Sequence, residues 1–187
     1  MPFDVSTSDL PGVLVLSPTV YGDDRGFFFE SFQLRDFQKH TGCECQFVQD
    51  NHSKSAHGVL RGLHYQIEKS QGKLVRVVSG TIFDVAVDIR EGSPTFGEWF
   101  GIELSAENKK QLWIPPDFAH GFLVLSDSAE VLYKTTDYYA PRHEKSVRWN
   151  DPNLGIEWPE INGGPSLSTK DRDASFFKDA ELPAFQK

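Results

Sequence analysis

Residues 73–90 read KLVRVVSGTIFDVAVDIR. KLVRVV (73–78) places Lys73, Val75 and Val77 on one face, and after an SGT turn IFDVAVDI (82–89) sets Phe83, Val85 and Val87 against Asp84, Ala86 and Asp88. A period of two marks extended strands, whose successive side chains point to opposite faces. The same period runs outward through QFVQDNH (46–52), HGFLVL (120–125) and EVLYKTT (130–136). These runs are short, rich in Val, Phe and Tyr, and separated by turn chemistry in YGDDRG, EGSPTFG, IPPDF and SDSA. Helical periodicity is scarce: SFQLRDFQKHTG offers Leu34 and Phe37 before a Gly42 stop, and the tail offers one more short helix. Many strands without intervening helices predict a mainly all-β fold, its antiparallel sheets closed against one another as a sandwich, jelly roll or barrel.

With 187 residues and 39% hydrophobic content the chain can bury one core, and a single domain over residues 1–187 is expected. The net charge of −8 argues against a nucleic-acid partner, because that affinity comes from concentrated Lys and Arg. A phosphorylated small molecule needs only a local cationic pocket. MPFDVSTSDLPGVLVL has no charged leader, its apolar run is too short for a signal segment, and no stretch approaches a membrane span. A soluble cytoplasmic protein without a membrane partner is therefore expected. Cys43 and Cys45 form a lone C-x-C and read as reduced, inert thiols.

GVLRGLHYQ (58–66) poses a question of geometry. On an ideal strand Arg61 and His64, an odd number apart, face opposite ways. Gly62 between them offers a solution, since one extra residue in a bulge returns both side chains to one face.

His64, Lys73, His120 and Tyr133 each sit among apolar neighbours on a strand, where a core would not ordinarily choose them. Singly, each reads as a satisfied core or rim residue. Together with Gln49, Asn51 and Arg61 they predict a polar-lined pocket inside a barrel. Small cupin-type barrels often hold a metal with a His-x-His pair, an acid and a later His. Here the pair is His64-x-Gln66, with Glu68 and His120 to follow. Gln is a poor ligand for a transition metal and Lys73 would oppose a cation, so no metal and no other cofactor is expected.

GVLRGLHYQ, QGKLVRVVSGTIFDVAVDIR, SPTFGEW, LSAENKKQLWIPPDFAHGFLVLSD and YKTTDYYAP, in that order between YGDDRGFFFESF and LSTKD, closely resemble the dTDP-4-dehydrorhamnose 3,5-epimerases. The resemblance implies a cupin-type jelly roll, a homodimer, no metal, and an isomerase acting on a dTDP-4-keto-6-deoxy sugar nucleotide. Members invert C3 and C5, each beside the C4 ketone, on the way to activated L-rhamnose. Some relatives invert only one centre.

Removing a proton beside a ketone requires a base, a partner for the enolate oxygen and an acid on the opposite face. The resemblance places the family's catalytic histidine on His64, and imidazole titrates near neutral pH. It makes Asp171 the carboxylate that steadies His64. From residues alone, Ser168-x-x-Asp171 reads as a helix capping box, and the two roles can coexist. Asp84 is a second candidate for steadying His64 or Lys73. Lys73, otherwise an exposed strand lysine, is assigned to the enolate, because a fixed cation in a dry pocket stabilises developing charge. Tyr133 matches the proton donor and needs a neighbouring charge to make the phenol acidic enough. Arg25, Arg61 and Lys170 match sugar and phosphate contacts, for which the arginine fork is suited. Glu30, Gln49, Asn51, His120 and Glu144 match further substrate contacts. Tyr139 matches the residue that stacks on thymine, with Tyr138 beside it as an alternative. Competing readings are a single-centre epimerase, a non-catalytic sugar-nucleotide binding module and a metal-dependent cupin. The binding module has no reason to keep His64, Lys73, Tyr133 and Asp171 together.

Overall fold

The computed structural model describes residues 3–185; residues 1, 2, 186 and 187 of the expected domain lie outside the described residues. In chain order its elements are β1 (Phe3–Thr7), β2 (Leu14–Pro18), β3 (Tyr21–Asp23), β4 (Gly26–Phe28), α1 (Leu34–Thr41), β5 (Gln49–Ala56), β6 (Leu60–Gln66) and β7 (Lys73–Ser79). There follow β8 (Thr81–Asp88), β9 (Trp99–Ser105), β10 (Gln111–Ile114), β11 (Phe118–Val124), β12 (Ser128–Thr135), β13 (Glu144–Ser146) and the one-turn α2 (Thr169–Arg172). One sheet has the order β1-β2-β10-β7-β12-β5, the other β13-β6-β11-β8-β9, and β3 and β4 form a separate hairpin. The jumps in sequence between neighbouring strands are those of a jelly roll, two antiparallel sheets face to face. No helix among the described residues is long and apolar enough to cross a membrane.

The 73–90 stretch is the corner of this sandwich. β7 lies in one sheet and β8 in the other, so the residues between them change sheets rather than close a hairpin. Gly80 makes the corner at φ +76°, and a Cβ there would stand 2.0 Å from the Ser128 carbonyl oxygen. Val75 and Val77 from β7 and Ile82 and Ala86 from β8 meet Leu112, Phe122 and Val131 between the sheets. Val85 and Val87, on the other face of β8, are covered by Leu154 and Phe177 of the C-terminal segment. Both faces of β8 are thus buried, and the face carrying Asp84, expected as its polar side, points between the sheets.

α1 forms where the Leu34 and Phe37 spacing predicts it. Phe37 is fully buried against Trp113 and Leu74 on the outer face of the first sheet, and Gly42 ends the helix at φ +70° while donating its N–H to Gln38 O. Beyond it the chain brings Cys43 and Cys45 to a Cα separation of 5.3 Å and joins them in a disulfide, correcting the expectation of free thiols.

The bulge in GVLRGLHYQ is present. His64 pairs with His120 and Arg61 with Phe122, so Gly62 and Leu63 on β6 oppose the single residue Gly121 on β11. Gly62 has φ +125°, the next peptide is cis, and the two backbones nearly touch. A Cβ on Gly62 would lie 2.5 Å from Gly121 Cα and 2.8 Å from His120 O. Neither backbone atom can move aside without breaking the β6–β11 ladder. Gly62→Ala is therefore expected to lower stability by at least about 3 kcal/mol, a strained conformation adding to the clash, and a urea melt would measure it.

Candidate active site

Residues from both sheets enclose a cavity of about 180 Å³. Seven of the sequence-predicted residues line it: Arg61 and His64 from β6, Lys73 from β7, His120 from β11, Tyr133 from β12, Glu144 from β13, and Tyr139 from the loop before it. Inward alternation delivers most of them, and the bulge delivers Arg61 together with His64.

His64 Nε2 is 2.5 Å from Asp171 Oδ1. Since the carboxylate accepts, Nε2 carries the proton and the basic lone pair resides on Nδ1, which has no partner among the described residues. Asp171 is only 3% exposed and also accepts from the Gly62 N–H at 3.4 Å. Its backbone N–H donates to Ser168 Oγ at 3.1 Å, while the Ser168 hydroxyl donates to Asp171 Oδ2 at 2.7 Å. The capping contact and the His64 contact therefore coexist on one residue. Burial pushes the Asp171 carboxyl up, but the hydrogen bonds from His64 and Ser168, with Gly62 helping, outweigh it and hold the group below the usual carboxylate range.

Asp84 is fully buried and steadies a different histidine from the one expected: His120 Nε2 lies 3.0 and 2.9 Å from its two carboxylate oxygens. Burial pulls the His120 imidazole down, with Asp84 opposing, so the neutral form is favoured. Lys73 is 8% exposed, donates to the His64 carbonyl at 3.3 Å, and lies within the field of Asp84. It is no exposed strand lysine. Burial lowers its pKa from 10.5 to about 8 against the pull of Asp84 and Glu144.

Tyr133 is raised above its ordinary value, burial outweighing the acidifying charge of Arg61, and Glu144 adds to the rise. Arg61 is thus the neighbouring charge of the right sign, and it is pinned by a 3.0 Å hydrogen bond from Nε to Ser55 Oγ. At the mouth, the Tyr139 hydroxyl donates to Glu144 Oε2 at 2.8 Å, and Lys170 pairs with Glu144 Oε1. Tyr139 lines the cavity and Tyr138 does not. Gln49 donates to Asn51 Oδ1 and accepts from the Tyr139 N–H, both at 3.0 Å, and Asn51 sits directly across the ladder from Tyr133.

The other seven predicted residues are absent from the lining, five of them, Asp84, Asp171, Gln49, Asn51 and Lys170, standing behind it against residues that do line it. Arg25 stands on the β3–β4 hairpin with 90% of its side chain exposed and its guanidinium on Asp23, and Glu30, half-buried beyond the hairpin, is absent from the lining. Conversely Ser53, Gln66 and Gln71 line the cavity and were not foreseen as site residues. The signal for Ser53 was available, because it continues the parity of Gln49 and Asn51. Gln66, weighed only as a metal ligand, instead accepts from the Ala140 N–H and donates to the Lys69 carbonyl, which fixes the loop carrying Tyr139.

Asp171→Asn separates the two functions of that residue, since the Ser168 cap uses the backbone N–H and survives. It is expected to lower kcat about a hundredfold or more with little change in KM, checked by steady-state kinetics. Lys73 acts in the opposite sense on stability. An unfolded chain keeps its proton up to 10.5 and the folded one releases it near 8. The unfolded state therefore binds more protons between those values, and Lys73 opposes folding most strongly below pH 8. Lys73→Met is expected to stabilise the fold at pH 7 by up to about 3 kcal/mol while reducing turnover at least a hundredfold, read by thermal melts and kinetics on one preparation.

A family profile described as dTDP-4-dehydrorhamnose 3,5-epimerase matches residues 7–179. A dTDP-4-dehydrorhamnose 3,5-epimerase from Pseudomonas aeruginosa is 61% identical over 92% of this chain and 94% of its own. The structure of a dTDP-6-deoxy-D-glucose-3,5-epimerase from Legionella pneumophila in complex with dTDP-4-keto-L-rhamnose superposes with a TM-score of 0.97 at 49% identity, covering 100% of both chains. A 3'-monoepimerase from Streptomyces bikiniensis in complex with dTDP-quinovose reaches 0.89 at 36% identity, over 95% of this chain and 91% of that one. The chain belongs to the dTDP-4-dehydrorhamnose 3,5-epimerase family.

Proposed function

We propose that this cavity epimerises C3 and C5 of dTDP-4-keto-6-deoxy-D-glucose to give dTDP-4-keto-L-rhamnose. The observation that carries the reading is the convergence of the Asp171-bound His64, the buried Lys73 and Tyr133 on one cavity, with His64 and Tyr133 on opposite sheets. The ligand in the Legionella relative supports the substrate. His64 Nδ1 takes the proton from the carbon beside the ketone, and the electron pair moves onto the C4 oxygen. The Lys73 ammonium stabilises that enolate. Tyr133 then delivers a proton to the opposite face, with Arg61 opposing the effect of its burial. Arg61 and Lys170 serve the diphosphate, and Tyr139 stacks on thymine. The sequence of steps needs no redox partner, since the proton removed from one face is replaced from the other.

The donor set does not suit a transition metal. Gln66 is committed to the 138–140 loop, Glu68 pairs with His143, and the Lys73 cation lines the same cavity as His64 and His120. A homodimer belongs to the same reading. The β3–β4 hairpin exposes Tyr21, Phe27 and Phe28 beside Arg25, a patch suited to a second copy, and docking there would take Arg25 out of solvent toward a sugar nucleotide.

Proton NMR of dTDP-4-keto-6-deoxyglucose incubated with the protein in deuterated water tests the activity. Exchange at both C3 and C5 is expected, and it should vanish in His64→Ala. Exchange at one carbon would move the chain to the single-centre relatives, and binding without exchange would make it a binding module. With Lys73 near 8, kcat should fall above that pH as the ammonium is lost, and Lys73→Arg, which stays charged, should shift that limb upward. A monomer in sedimentation at working concentration would overturn the dimer.

A further inference from the structure

Ser53 Oγ is buried and has no hydrogen-bond partner among the described residues, although Ser53 lines the catalytic cavity. Buried hydroxyls are nearly always paired, and one left without a protein partner on the wall of a ligand cavity is placed to bond a polar group of the ligand. Its neighbours on the same face of β5 are already committed: Asn51 Oδ1 accepts from Gln49, and Ser55 Oγ accepts from Arg61. Across the ladder stands Val131, whose side chain offers nothing polar. Ser146 Oγ is the other orphan among the described residues, but it lines a surface cleft outside the cavity.

Position along the strand identifies what Ser53 meets. Asn51 marks the level of Tyr133, its ladder partner, and Ser55 marks the level of Arg61, to which it is bonded. Ser53 lies midway, about 7 Å along the strand from each at 3.3–3.4 Å per residue. On the reading above, from which this inference follows, Tyr133 reaches an epimerised carbon and Arg61 holds the diphosphate on C1. Of the two epimerised carbons, C3 is joined to C1 through C2 with its hydroxyl, whereas C5 is joined through the ring oxygen, which cannot donate and is the poorer partner for a hydroxyl. We propose that Ser53 is a specificity-determining residue whose side chain hydrogen-bonds the C2 hydroxyl of the substrate, so that the cavity selects 2-hydroxy over 2-deoxy sugar nucleotides.

A site that hydrogen-bonds a substrate hydroxyl discriminates against the analogue lacking it, because its own polar group is then left unpaired. The test crosses wild type and Ser53→Ala with dTDP-4-keto-6-deoxyglucose and its 2-deoxy analogue, measuring kcat/KM by exchange in deuterated water. Wild type should favour the 2-hydroxy sugar by at least about tenfold, and Ser53→Ala should lose that preference by slowing only on the 2-hydroxy sugar. Because the hydroxyl makes no intramolecular bond, Ser53→Ala should melt at or above the wild-type temperature. An active wild type with no preference, or a variant that slows equally on both sugars or on neither, overturns the assignment alone. A wild type inactive on the 2-hydroxy sugar overturns the activity reading and this assignment with it.

Discussion

Asp171, near the C-terminal end of the chain, accepts from the ring of His64 and from the backbone N–H of Gly62 across more than a hundred residues of sequence, and much else is arranged around that contact. It closes the C-terminal segment onto β6, fixes which imidazole nitrogen keeps its proton, and gives a partner to a backbone group in a bulge where the regular ladder is interrupted. The same residue's own N–H donates to Ser168 Oγ, which caps α2. A carboxylate buried this deeply is tolerable only because each of its oxygens is occupied, Oδ1 by His64 and Gly62 and Oδ2 by Ser168.

The opposite logic governs Lys73. Its ammonium has one backbone carbonyl within hydrogen-bond reach and is held in the field of Asp84 and Glu144 without touching either. It weakens the fold in its charged state, and the apolar layer of Val75, Val77, Leu112 and Val131 offsets that by holding both sheets together. A group poorly served by its protein surroundings is the one with most to gain from negative charge developing on a ligand. His120 is the contrasting case: its ring is tied to Asp84 with both carboxylate oxygens in range, so it stands as a positioned neutral wall of the cavity.

The strands, α1 and the bulge were legible because each rests on a local rule: a period of two, a Phe37 buried four residues before the end of its helix, and a Gly62 between two polar residues of wrong parity. Parity alone could not say which face of β8 points inward, since the C-terminal segment buries the second face and erases the usual contrast between wet and dry sides. That is why the hydrogen bonds from His120 to Asp84 were not foreseen, although the Asp84 charge does act on Lys73 as expected. The pairing of His64 with Asp171 spans 107 residues, and no periodicity carries information over that distance; a helix cap was the better local reading, and its Ser168 half is present. Ser53 shares the parity of Gln49 and Asn51, but a serine on a strand carries no compositional alarm, and burial together with a missing partner is what gives that parity its meaning. Arg25 matched by motif but sits on a hairpin whose surroundings in this chain are solvent.

The proposed base and acid stand on opposite walls, His64 on the β6 side and Tyr133 on the β12 side. Packed sheets lie about 10 Å apart, and here the spacing is set by side chains such as Val75, Phe122 and Val131 that fill the interior. On the roles proposed, the apolar layer is therefore a stereochemical spacer as well as a source of stability. A methylene added to it or taken from it would alter the angle at which a sugar ring shows its two faces to the two walls. Handedness of the product would then be encoded partly in the thickness of a hydrocarbon layer that never touches the ring.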